Sequence, residues 1–200
     1  MIKRNIYNQI LESVQTKPVT LITGARQVGK STIALEFEKQ GFSYVSLDNY
    51  REREMAKKDP DMFLKMHPWP LIIDEIQRAP ELFSSIEEIV NEEKRKHNDN
   101  YGMYILTGSQ IYKLMNNVTE SLAGRVSIIH MMPLSRNEII ERDEPVFNFD
   151  ILEIQKRAKA NPISPLELFI SIVKGFYPEL YSNSKLRFEK FYSDYVETYI

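Results

Sequence analysis

Gly24-Ala25-Arg26-Gln27-Val28-Gly29-Lys30-Ser31 follows the spacing glycine, four residues, glycine, lysine, then serine or threonine, which is suited to holding a polyphosphate. Glycines let the chain turn so that successive N–H groups face phosphate oxygens, and a helix starting near Lys30 adds its positive end. In such a loop Lys30 reaches the β- and γ-phosphates, Ser31 ligates Mg2+, and Thr32 follows in the first helical turn. The alternative is a glycine turn that carries a lysine by accident. It would require neither the strand nor the helix that the flanking residues predict.

Leu71-Ile72-Ile73-Asp74-Glu75 closes an apolar run with two carboxylates, at the strand edge where open α/β sheets bind ligands. Asp74 fits a place in the Mg2+ shell, with a helix cap as its competing role. Glu75 fits the carboxylate that orients and polarises an attacking water. A kinase with a bound small-molecule acceptor has no use for such a glutamate, so the pair favours hydrolysis. No Asn-Lys-x-Asp guanine-reading motif occurs, which favours ATP over GTP.

These residues need a scaffold, and the apolar pattern supplies one. Ile2, Ile6, Ile10, Leu11 and Val14 recur at helical intervals over residues 1–16, and Pro18 ends that helix. Val19–Thr23 reads as a strand that runs into the phosphate loop, and Ser31–Lys39 as the helix leaving it. Further strands are predicted over Phe42–Leu47, Leu71–Ile73, Tyr104–Thr107 and Val126–Met132. Helical segments lie between them, over Asn49–Lys65 with a break at Pro60, Pro80–Lys96 and Ser109–Leu122. Apolar rather than alternating strands separated by helices argue for an α/β fold with a parallel sheet covered on both faces. Beyond Leu134 no strand is evident, and prolines punctuate helices that end in Phe188, Phe191, Tyr192, Tyr195 and Tyr199. The domain reading is a core over 1–134 and a helical lobe over 135–200.

Composition narrows the classes further. The 200 residues suffice for one full-sized domain, and 26 basic against 28 acidic residues leave a net charge of -2, which makes no electrostatic case for a nucleic-acid or membrane-surface binder. With no cysteine there is no disulfide framework, thiolate metal site or thiol nucleophile, which fits a reducing compartment. The N-terminus lacks the pattern of a signal peptide, and no apolar run reaches the ~20 residues that span a bilayer. The expectation is a cytoplasmic chain. The pattern breaks off at Ile200 with neither a C-cap glycine nor a polar tail, an ending that points to a longer parent chain.

ITGARQVGKST, LIIDEIQRAPELF, ILTGSQ and SLAGRV, in this order and spacing, resemble the bacterial and archaeal AAA+ type ATPases known as an AAA domain of unknown role. Such proteins usually continue into a C-terminal domain of restriction-endonuclease-like fold. The resemblance implies a P-loop NTPase core with sheet order 5-1-4-3-2 and a helical lid. It implies ATP and Mg2+ as ligands, with Ser109 or Gln110 sensing the γ-phosphate. A helix N-cap serine and a surface glutamine are the other readings of those two. It places Arg125 where such proteins carry an arginine finger that completes a neighbour's site, which requires a homo-oligomer; a salt bridge at a helix end is the alternative. Lys174-Gly175-Phe176-Tyr177-Pro178-Glu179 resembles a lid segment that touches the nucleotide through Pro178. Phe176 stands where the family has a second glycine, and a plain turn is the other reading. Nucleic acid is not indicated by this chain, and contact with it would fall to the C-terminal domain of such proteins.

Other signals carry less. Asp48 reads as a turn residue at a strand end. His67, His97 and His130 share no ligand spacing. The run Glu92 to His97 reads as a solvated helix end, and the C-terminal aromatics as core rather than a base-stacking platform. The expected function is Mg-dependent ATP hydrolysis driving a conformational change, with Lys30, Glu75, Arg125 and Ser109 in the chemistry. The alternative is an ATP-dependent switch of slow turnover, and a P-loop kinase ranks third.

Overall fold

The computed structural model describes residues 2–97, 100–109, 121–142, 148–160 and 162–199. The chain divides into two compact units, Ile6–Met132, and Met1–Asn5 together with Pro133–Ile200.

The larger unit is a five-stranded, all-parallel sheet with helices around it. Strands β1 (Val19–Thr23), β2 (Ser43–Ser46), β3 (Leu71–Asp74), β4 (Tyr104–Gly108) and β5 (Val126–His130) lie in the order β2-β3-β4-β1-β5. This is the expected order read from the opposite edge. Every residue of β1, β3 and β4 is buried, as the unbroken apolar runs of a doubly covered parallel sheet require. The edge strands β2 and β5 are mixed, with Val45 and Ile129 turned inward.

Helix α1 (Tyr7–Thr16) buries Ile10, Ser13 and Val14 on one face. Ser13 and Thr20 of β1 share a buried hydroxyl–hydroxyl bond of 2.7 Å, so the helix is tied to an interior strand by a satisfied polar pair. The helix leaving the phosphate loop is shorter than the pattern predicts. It runs as α2 (Lys30–Leu35) and then tightens into a 3-10 turn over Glu36–Gln40 that stops at Gly41, φ +91°. That turn carries Phe37 into the core, stacked on Tyr7 at 5.2 Å and edge-on to Phe42 at 6.2 Å.

The predicted break at Pro60 is a helix restart. Asn49 caps α3 (Tyr50–Lys58) by accepting from Arg51 N at 3.0 Å. Asp59 caps α4 (Pro60–Met66) by accepting from Met62 N at 2.9 Å, with Pro60 in the first turn where its missing N–H costs nothing. Helix α5 (Leu82–Lys96) begins two residues after Pro80, and its buried Leu82, Phe83, Ile86 and Val90 form one stripe. Its last turn holds Lys94, Arg95 and Lys96, suited to the negative end of the dipole, and Lys96 meets Glu92 at 2.8 Å on the solvated face. The helix expected over Ser109–Leu122 lies outside the described residues except at its two ends.

The smaller unit is helical, with α6 (Arg136–Ile139), α7 (Ile151–Ala160), α8 (Pro165–Lys174), α9 (Glu179–Ser182) and α10 (Phe188–Tyr199). Ser135 and Glu138 form a reciprocal capping box on α6, and the buried Glu138 also accepts from Asn5 N at 2.7 Å and Arg4 Nε at 3.1 Å. A second box, Ser164 with Glu167, starts α8 ahead of Pro165. Tyr177, Phe191 and Tyr195 form the aromatic core here, with Tyr177 5.2 Å from Phe191 and 5.3 Å from Tyr195. Among the described residues no helix is long and apolar enough to cross a membrane.

Leu21 sits in the middle of β1, fully buried between β4 and β5. Leu21→Ala is expected to lower stability by about 3 kcal/mol. In urea unfolding of the sheet-bearing unit this reads as a lower midpoint at unchanged slope.

Candidate nucleotide site

The loop between β1 and α2 has the turns its glycines predict. Gly24 sits at φ +150°, Gln27 at +61° and Gly29, the cap of α2, at +95°. Alternating backbone handedness of this kind aims N–H groups into one concavity. Gly24 is constrained twice, because a Cβ placed on it would also lie 2.2 Å from the carbonyl oxygen of Met131. Met131 N in turn donates to Thr23 O at 2.7 Å, which holds the loop's first residue to the end of β5. Val28 anchors the loop in the core, while Ala25, Arg26, Gln27 and Thr32 are exposed.

Lys30 is buried. Its ammonium donates to the carbonyls of Ala25 at 2.7 Å and Gly24 at 3.2 Å, so it lies folded across the mouth of the loop. Burial holds it below the ordinary lysine value, opposed by the charges of Glu75 and Asp74 and reinforced by that of Arg26.

Asp74, at the end of β3, is the node of the site. Its Oδ1 accepts from Ser31 Oγ at 2.7 Å and from Thr107 Oγ1, and its Oδ2 accepts from Tyr44 Oη at 3.0 Å. The Tyr44 hydroxyl is pushed up to about 12, by burial first and then by the Asp74 charge and the hydrogen bond to it. A hydroxyl and a carboxylate at this spacing are hard oxygen donors. That fits Mg2+, which completes its shell with waters and phosphate oxygens rather than a protein cage. Among the described residues no cluster of three acidic, His or Cys side chains offers such a cage.

Glu75 takes the left-handed conformation at φ 59°, which turns the chain off the sheet into a 3-10 turn over Ile76–Arg78. Its N–H donates to Thr107 Oγ1 at 3.2 Å, and its Oε2 accepts from Gln77 Nε2 and, at 3.4 Å, from Ser109 Oγ. Ser109 is thus next to Glu75; Gln110 lies outside the described residues.

Other expected site residues lie elsewhere. Arg125 directly precedes β5, so it stands at the sheet edge opposite the phosphate loop, a strand length of five residues at ~3.3 Å each from it. Its guanidinium bonds Asn91 Oδ1 at 2.7 Å and Ala123 O at 3.1 Å, with Glu87 at 3.5 Å. It cannot reach the phosphate loop of its own chain from there. Pro178 belongs to the smaller unit and starts α9, its carbonyl accepting from Tyr181 N at 3.1 Å and Ser182 N at 3.0 Å. Asp48 pairs with Arg78 at 2.7 Å on the surface.

Three residues of the site escaped the sequence reading. Thr107 had a signal, being the polar residue in the otherwise apolar YIL-T run of β4. Gln77 follows Glu75 by two positions, beyond the end of β3, and it is the left-handed turn at Glu75 that brings the two side chains together. Tyr44 had none.

A profile of the family described as AAA domain matches residues 16–140. Uncharacterized proteins of Mycobacterium tuberculosis and Mycobacterium bovis are each 26% identical over 138 residues, 68% of this chain and 30% of theirs. The chain therefore spans under a third of the curated relatives it matches. Among solved structures, the replication initiator DnaA bound to AMPPCP and single-stranded DNA is similar with a TM-score of 0.51 at 16% identity, over 96% of this chain and 63% of that one. At that identity the likeness speaks for the fold.

Two outcomes follow from the loop. Gly24→Ala is expected to lose stability and nucleotide binding together, because the added methyl meets backbone rather than a movable side chain; thermal unfolding and a fluorescent-nucleotide titration read the two. Lys30 has its proton affinity lowered by folding, so the unfolded chain binds more protons between the folded value and 10.5. Its contribution to stability therefore rises with pH across that window, and the rise should be missing in Lys30→Met when unfolding is followed without nucleotide.

Proposed function

Because this chain belongs to the AAA domain family, we propose that its nucleotide-binding ATPase module binds Mg·ATP at Gly24–Thr32 and hydrolyses it to ADP and phosphate. The observation that carries this reading is the convergence of Lys30, Ser31, Asp74 and Glu75 at one sheet edge, with Ser31 and Asp74 2.7 Å apart.

The backbone N–H groups of the loop receive the phosphates, and Lys30 gives up its two carbonyl contacts for their oxygens. That exchange offsets the desolvation under which its charge is held. Mg2+, held by Ser31 and Asp74, would supply charge against the β- and γ-phosphate oxygens. Glu75 orients a water; the water oxygen bonds to the γ-phosphorus as the bond from that phosphorus to the bridging oxygen breaks. The electron pair leaves on ADP, and the proton passes to the Glu75 carboxylate. Ser109, bonded to Glu75, would sense the γ-phosphate.

Arg125, remote from its own loop, would serve a neighbouring copy. That role requires it to leave Asn91 and Glu87 and requires at least a dimer. Residues 1–134 are the core and 135–200 the lid, whose movement is the conformational change. The chain acts in the cytoplasm. A switch of slow turnover is the second reading, favoured by the bonds that keep Arg125 on its own α5.

The test is Mg·ATP hydrolysis against protein concentration, with Lys30→Ala as blank. Glu75→Gln should lower kcat by about 100-fold or more while ATP still binds. Specific activity should climb with concentration, and Arg125→Ala should remove the climb. Tight binding with negligible turnover at every concentration, unchanged by Glu75→Gln, would establish the switch instead.

A further inference from the structure

We propose that Gln77 is a positioning residue for hydrolysis, whose amide fixes the carboxylate of Glu75 in the orientation that takes up the attacking water; the inference rests on the hydrolytic reading above. Its first support is the contact itself: Gln77 Nε2 donates to Glu75 Oε2, the oxygen that also receives Ser109 Oγ. A carboxylate only accepts, so the amide must present its NH2 side, and its orientation follows from chemistry rather than choice.

The second support is independent of that contact. Gln77 Oε1 is buried and has no hydrogen-bond partner among the described residues. Buried polar atoms are nearly always paired, and a glutamine serving the fold alone would satisfy both ends of its amide. Among the described residues Gln77 satisfies only the end that faces Glu75.

The backbone gives a third reason. Glu75 at φ 59° and the 3-10 turn behind it turn the chain back on itself, so that the residue two positions on meets the carboxylate. A glutamate on such a turn has free rotation about its own side chain unless something outside it sets the direction. Gln77 and Ser109, arriving from the turn and from the end of β4, set it from two sides. With both donors on Oε2, Oε1 is the oxygen that meets the water.

The experiment measures kcat and KM for Mg·ATP in the wild type, Gln77→Ala, Glu75→Gln and the double variant, with ATP affinity and thermal unfolding beside them. Gln77→Ala should lower kcat about 10-fold, the loss of a charge-assisted hydrogen bond, with KM, ATP affinity and unfolding temperature unchanged. Gln77→Glu, which sets a like charge against Glu75, should lower it at least as far. In the Glu75→Gln background, removing Gln77 should cost nothing more, because the two act as one unit. Undiminished or raised kcat in Gln77→Ala, or losses that multiply in the double variant, would overturn the inference and leave the hydrolytic reading standing. A wild type with no turnover above Lys30→Ala would remove both.

Discussion

A buried carboxylate has to be solvated by something other than water, and around Asp74 that something is three hydroxyls. Ser31 comes from the helix after the loop, Tyr44 from β2 and Thr107 from β4, while Asp74 itself ends β3. One charge thereby gathers four elements that the sequence spreads over 77 positions, from 31 to 107. Hydroxyls hold a carboxylate without neutralising it, which suits the Mg2+ proposed for this site. Thr107 also receives the N–H of Glu75, so the node that holds Asp74 also fixes the start of the turn carrying Glu75.

Much of this was legible in the sequence, for physical reasons that differ by element. The strands β1, β3 and β4 are buried on both faces, so VTLIT, LIID and YILTG announce themselves by continuous apolarity. The glycine, lysine and serine spacing of the loop and the two carboxylates that end an apolar run single out Lys30, Ser31, Asp74 and Glu75 in the sequence, and the fold brings the four to one sheet edge. What resisted were features set by close packing between distant segments. Nothing in residues 31–39 says that the α-helix will tighten after Leu35; the demand comes from Phe37, which must reach Tyr7 and Phe42. Tyr44 enters the site through strand order, which a parallel sheet hides from local pattern. Gln77 enters through a left-handed residue, and a glutamate gives no warning of one.

The smaller unit reverses the balance. Its helices were readable as helices, and two capping boxes, at Ser135 and Ser164, mark their starts. Its aromatic core was anticipated from spacing alone, and Tyr177 joins Phe191 and Tyr195 there. In the same unit a Cβ on Gly175 would fall 1.8 Å from the hydroxyl of Tyr192, so the glycine that opens the Phe176-Tyr177-Pro178 segment serves packing at this point. That requirement is met whether or not Pro178 ever touches a nucleotide.

Gly24 bears on how such a chain can drift. Position 24 is held to glycine by its backbone angle and by the Met131 carbonyl, neither of which involves phosphate. Lys30 is the opposite case: a buried charge that desolvation disfavours, held by the carbonyls of Gly24 and Ala25 and by the nearby charges of Glu75 and Asp74. In a descendant released from selection for nucleotide binding, the lysine would be among the first residues of the loop to change and the first glycine among the last. A loop that keeps its opening glycine after losing its lysine would therefore be the trace of a fold still under selection after its chemistry has gone.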